Sequence, residues 1–233
     1  MGCLKKTVFK FFLKIFLGLF MLWLGAGVVC VVAGGLLQLT LGSPLAVAFT
    51  VGFILYFPIH FLLYKPVLSH VLAHELTHAL AALAMGGKVT EIHATHSGGS
   101  AVTSKSHFFI SMAPYVFPLY TVLALGLYAI AAPAFKIYLI GLVGFTYAFH
   151  WVLTVYSLSH HQPDLDEGGV VFSLIFIFTA NMIVWMLLFS LIWPDVLSLS
   201  GAMSGTFHWC LKLARDLFQL AHPITSHPEG GPA

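Results

Sequence analysis

His74-Glu75-Leu76-Thr77-His78 is the stretch of this chain whose residue types and spacing could do chemistry. On a helix each residue advances about 100°, so His74 and His78 lie about 40° apart on one face and one turn apart in height. Both imidazoles can then reach one ion. Glu75 lies about 100° round from His74, too far to replace a ligand but placed to hold a water on that ion. The chemistry this suits is metal-assisted hydrolysis: zinc lowers the pKa of water towards 7 and polarises a carbonyl, while the glutamate takes the proton and returns it to the leaving amine. With 13 histidines and four glutamates in 233 residues, chance supplies such a motif in roughly one chain in a hundred of this composition.

A catalytic zinc site takes three protein ligands and a water, so a residue far along the chain must complete this one. The chain has only eight acidic residues, and three of them fall in His160-His161-Gln162-Pro163-Asp164-Leu165-Asp166-Glu167-Gly168-Gly169. Asp164 and Asp166 are therefore the candidates for the third ligand, and an exposed acidic loop is the alternative reading of the same stretch. His70 lies one turn before His74 on the same face and reads as a partner of the ligands or a plain polar contact.

Taken together these residues resemble the site-2 protease family of intramembrane zinc metalloproteases. That family pairs HExxH on one membrane helix with a later Leu-Asp-Gly motif whose aspartate is the third ligand. Here the first motif is followed by Ala-Leu-Ala-Ala-Leu-Ala-Met-Gly-Gly and a strand-like region, similar to the family's small, membrane-only branch. The second motif is Pro163-Asp164-Leu165-Asp166-Glu167-Gly168-Gly169, with Glu167 interposed before the glycines and without the family's upstream Asn. The resemblance implies His74, His78 and Asp166 on one Zn2+ with Glu75 as base, Asp164 being the competitor if the register slips. It covers roughly residues 67–193 and implies a membrane protein or peptide as substrate.

The elements that must position these residues are membrane elements. The chain is 59% hydrophobic and 8% charged, against the roughly 25–35% charge of a soluble surface. A lipid bilayer is thus its surrounding partner, and so small a pool of charge gives no basis for a nucleic-acid partner. Cys3, Cys30 and Cys210 are far apart and frame neither a disulfide nor a metal clip. Apolar runs near 15–37, 43–64, 107–132, 137–158 and 170–193 are each long enough to span, and 67–86, which holds the histidines, either spans or re-enters. Between Lys88 and Ser106, β-branched alternation around His96-Ser97-Gly98-Gly99-Ser100 predicts a β-hairpin, either an interfacial loop or an edge that pairs with an extended substrate.

The expected fold is an all-α polytopic membrane protein of five to six transmembrane or re-entrant helices with one small hairpin. Its expected organisation is two N-terminal spans (1–66), a metallopeptidase membrane core (67–193), an amphipathic surface helix (194–221) and a disordered tail (222–233). Four lysines before the first span place the N-terminus in the cytoplasm by the positive-inside rule, with the plasma membrane as the expected location. If 67–86 crossed and two more spans followed, Asp166 would emerge on the face opposite to His74, and the two could meet only near mid-depth; re-entry would return it to the same face. The other functional class is a non-catalytic membrane protein that keeps the fold, a metal carrier or a scaffold, with His93, His96, His107, His150, His160 and His161 as a possible relay. A carrier needs polar residues through several spans, and the last span offers only Asn181 and a few hydroxyls.

Overall fold

The computed structural model describes residues 2–39, 43–63, 65–159 and 162–221, with side chains from Val8 onward. The expected tail at 222–233 and the candidate relay histidines His160 and His161 lie outside these residues. Among the described residues the chain forms helices α1 (Gly2–Gln38), α2 (Pro44–Pro58) and α3 (Val67–Ala84), then strands β1 (Val89–Thr95) and β2 (Gly98–Thr103). Helices α4 (Phe108–Val116), α5 (Leu119–Ile130), α6 (Pro133–Leu158), α7 (Val170–Ile192) and α8 (Leu199–Ala221) follow. This is the all-α polytopic fold with one hairpin. Five of its helices are long and apolar enough to cross a membrane, and α4 with α5 forms a further, bent candidate.

The predicted single run at 107–132 is broken. Pro118 has no N–H to donate and pushes the residue before it out of helical geometry, and Phe117 accordingly sits at φ −89°, ψ 106°. The two short helices meet at a bend of 62°. Proline acts more gently at the end of α2, where Pro58 withholds a hydrogen bond and crowds the preceding turn. The helix widens there into a π-helical turn, Ile59–Leu63.

The chain divides into two compact units. In one, α8 runs antiparallel along α1. Ala202, Thr206 and Cys210, four residues apart, form the buried stripe of α8; a Cβ added at Gly27 would come within 2.9 Å of Cys210 Sγ. Val28, Val32, Met186 and Ala202 make the core of this unit. The segment expected to lie on the membrane surface thus buries its small residues against the first span.

The other unit runs from α2 to Asn181. Here α2 and α6 cross in close contact, because Gly52 faces the carbonyl of Gly141 and Gly144 faces that of Phe49, with no room for a Cβ at either glycine. The two helices run in the same direction: Phe53 meets Tyr147, and Tyr56 meets Phe149 further along. Parallel spans need an odd number of crossings between them. If α2 and α6 both cross a membrane, then of α3 and the bent α4–α5 pair one crosses and the other leaves by the face it entered. The end of α6 lies beside the start of α3, where His70 and Ser157 share a hydrogen bond, so the acidic stretch that follows leaves from the end of the unit at which α3 begins.

Candidate metal centre

Helix α3 starts after Pro66 and ends where Gly86, at φ 71°, turns the chain into the hairpin. His74 is the eighth residue of this helix, so it lies about 10 Å along the axis from the start of α3. The hairpin then folds back over α3. Strand β1 pairs antiparallel with β2, from Thr95 opposite Gly98 to Val89 opposite Thr103, with an irregularity between Val89 and Glu91. The tight turn is His96-Ser97, and the glycines predicted for the turn begin β2 instead. Gly99 there lies directly on the metal-motif helix: a Cβ on it would stand 2.7 Å from Glu75 Cγ and 2.8 Å from the His93 carbonyl oxygen. Glu75 is buried, and its carboxylate accepts a hydrogen bond from the Ala101 backbone N–H.

Across from α3, Pro163–Asp166 forms a single 3-10 turn. It brings Asp164 to the two histidines. Asp164 Oδ2 lies 3.4 Å from His74 Nε2 and 3.3 Å from His78 Nε2, and the two Nε2 atoms lie 3.2 Å apart. Asp166, which the motif register had favoured as third ligand, is not in this group; the competitor Asp164 is. The reason is the turn geometry. A 3-10 helix has three residues per turn, so side chains two positions apart point about 120° from each other and cannot both face the histidines. Leu165 between them is buried with Met112, Tyr115 and Ile177 and locks the turn in this orientation. Gly169, at φ 82°, then turns the chain into α7.

The three atoms fit one small cation. Zinc binds nitrogen and oxygen at about 2.0–2.1 Å with tetrahedral angles, which requires ligand atoms about 3.3 Å from one another; the observed edges are 3.2, 3.3 and 3.4 Å. The tautomer is also right. His78 Nδ1–H donates to the Ile110 carbonyl at 2.9 Å, which leaves the Nε2 lone pair facing the group. Burial alone would push the Asp164 carboxyl up, but His74 and His78 beside it outweigh burial and hold it well below the ordinary carboxylate range. The group offers two imidazole nitrogens and one carboxylate oxygen to a single ion. Among the described residues it is the one cluster of this kind.

Other candidates take different places. His70 shares a hydrogen bond of 2.8 Å with Ser157, and its ring lies 6.0 Å from that of His74. Of the possible relay, His93 is exposed and paired with Glu91, His107 caps α4, and buried His150 bonds Asn181. One residue had no signal in the sequence. Tyr115, on α4, donates its hydroxyl to Asp164 Oδ2 at 3.1 Å and sets its ring edge-on to His74. A cleft of about 490 Å³ opens onto the group, lined by Glu75, by Gly99, Ala101, Val102 and Thr103 of β2, and by Gln162. The chain matches no protein-family model, no curated protein and no solved structure.

Proposed function

We propose that this chain is a membrane-embedded zinc metalloendopeptidase similar to the site-2 protease family, with His74, His78 and Asp164 holding one Zn2+ and Glu75 acting as base. The observation that carries the reading is the triangle of ligand atoms at zinc-like spacing with a buried glutamate on the next helical position. Zinc bound there would supply Lewis acidity, lowering the pKa of water and polarising a carbonyl. Glu75 holds the water's proton and delivers it to the leaving amine. The Ala101 N–H fixes one side of the Glu75 carboxylate, which aims the rest of it into the cleft.

The substrate is a peptide in extended form. Among the described residues β2 pairs only with β1, and its Gly99–Thr103 stretch borders the cleft, so an extended segment can add to that edge by main-chain hydrogen bonds. Depth favours a substrate that is membrane-embedded or membrane-proximal, since His74 lies about 10 Å along the axis from the start of α3. The four lysines in the first turns of α1, Lys5, Lys6, Lys10 and Lys14, put the N-terminus and the start of α3 on the cytoplasmic side, with the plasma membrane as the host membrane.

The test is Glu75→Gln in the full chain, reconstituted with single-span peptide reporters. Removing a general base costs about 10²–10⁴ in rate, so cleavage falls at least a hundredfold while the zinc content stays at that of wild type. Undiminished cleavage by this variant ends the proposed mechanism. Stoichiometric zinc in a wild type that cleaves no reporter supports the non-catalytic metal-binding reading instead, which the 3.2–3.4 Å group would serve equally well.

A further inference from the structure

We propose that Tyr115 is the positioning residue that holds Asp164 on the metal, and that Asn181 and His150 form the brace that holds Tyr115; this rests on the reading of His74, His78 and Asp164 as a metal centre. Asp164 stands on a one-turn 3-10 segment rather than a long helix. Its side chain therefore needs an external support to keep one oxygen on two imidazoles. Tyr115 is that support. It is 1% exposed, its hydroxyl donates to the same Oδ2 that faces both histidines, and its ring stands at 90° to the His74 ring, 5.3 Å between centroids. One side chain thus touches two of the three ligands. A donor on a ligating carboxylate fixes its orientation, and losing such a partner typically costs 10- to 100-fold in metal affinity.

The break between α4 and α5 explains how Tyr115 is itself held. Near the end of a helix the last carbonyls have no amide to accept from, and Tyr115 lies one residue from the end of α4. Its carbonyl receives Asn181 Nδ2 at 2.8 Å instead. Asn181 is a buried amide in the apolar helix α7, a placement that costs free energy unless its polar atoms are paired. They are: its other Nδ2 bond goes to the Ile177 carbonyl at 2.9 Å, and its Oδ1 accepts from His150 Nε2–H at 3.3 Å. A chain of hydrogen bonds therefore runs from α6 through α7 and α4 to the acidic ligand. The bend at Pro118 frees the carbonyl by which the chain grips α4.

The experiment measures metal binding, not turnover, on the full chain in detergent: zinc affinity by chelator competition and the visible absorption of the Co2+-substituted protein. The variants are Tyr115→Phe, Asn181→Leu and, as control, Tyr120→Phe, whose lost hydroxyl donates to the Ser69 carbonyl on α3 rather than to a ligand. Tyr115→Phe is expected to weaken zinc about 10- to 100-fold and to shift the Co2+ bands. Tyr120→Phe should do neither. Asn181→Leu should move the same bands in the same direction. Wild type holding one ion, with Tyr115→Phe within about twofold of its affinity and with unchanged bands, overturns this inference and leaves the metal centre standing. Shifted bands in Tyr115→Phe but not in Asn181→Leu overturn the brace. A wild type that binds no zinc overturns the metal centre and this inference with it.

Discussion

Replacing Asp164 by alanine removes the only anionic atom of a triangle whose edges are 3.2, 3.3 and 3.4 Å. Two imidazoles one helical turn apart remain, and Asp166, two residues along the same 3-10 turn, is not in the group. A structural zinc site with four protein ligands is worth about 10–16 kcal/mol, or about 2.5–4 kcal/mol per ligand. Losing one should therefore weaken zinc by roughly two to three orders of magnitude. Asp166→Ala leaves the triangle intact and should keep the affinity within about threefold of wild type. The assay is competition with a colorimetric chelator on detergent-purified protein, with metal content after dialysis as a second readout. The opposite pattern, zinc lost in Asp166→Ala and kept in Asp164→Ala, would refute the reasoning from turn geometry and restore the motif register. Unchanged zinc in both variants would remove this acidic turn from the site altogether.

Gly99→Ala should impair cleavage without removing the metal: the new methyl stands 2.5 Å from Val71 Cγ1, 2.7 Å from Glu75 Cγ and 2.8 Å from the backbone oxygen of His93, so β2 and Glu75 cannot both keep their places. A displacement near 1 Å costs about 10²-fold, measured as cleavage rate against zinc content, and an unimpaired rate would count against Glu75 as base. Gly52→Ala and Gly144→Ala each drive a methyl into a neighbouring backbone carbonyl where α2 and α6 cross. Such overpacking costs about 1–3 kcal/mol, more than the about 1 kcal/mol that alanine gains over glycine in a helix, so both should lower the melting temperature in detergent. Gly126→Ala, which meets nothing within 4 Å, should leave it unchanged or raise it slightly; equal melting of all three would contradict the close crossing.

Much of this protein is legible in its sequence, and for local reasons. The apolar runs follow from bilayer thickness, and the hairpin from β-branched alternation around glycines. The pair His74 and His78 with Glu75 follows from helical spacing alone, because 100° per residue is a property of the backbone and not of its surroundings. The same locality explains what the sequence leaves open. Asp164 and Asp166 are two residues apart in a short turn, and no local rule says which faces a helix ninety positions away; buried Leu165 and three-residue periodicity decide it. Tyr115 gives no sign of its role, since a tyrosine in an apolar run reads as ordinary interior. Asn181 does give one, as a lone amide in an apolar span, but its partners lie on two other helices. The close crossing of α6 on α2 depends on Gly52 and Gly144 letting two backbones meet. The types and spacing of His74, Glu75 and His78 on one helix follow from the chain's covalent order; the choice of Asp164 over Asp166 and the contact with Tyr115 came from segments distant in that order, which only packing could select.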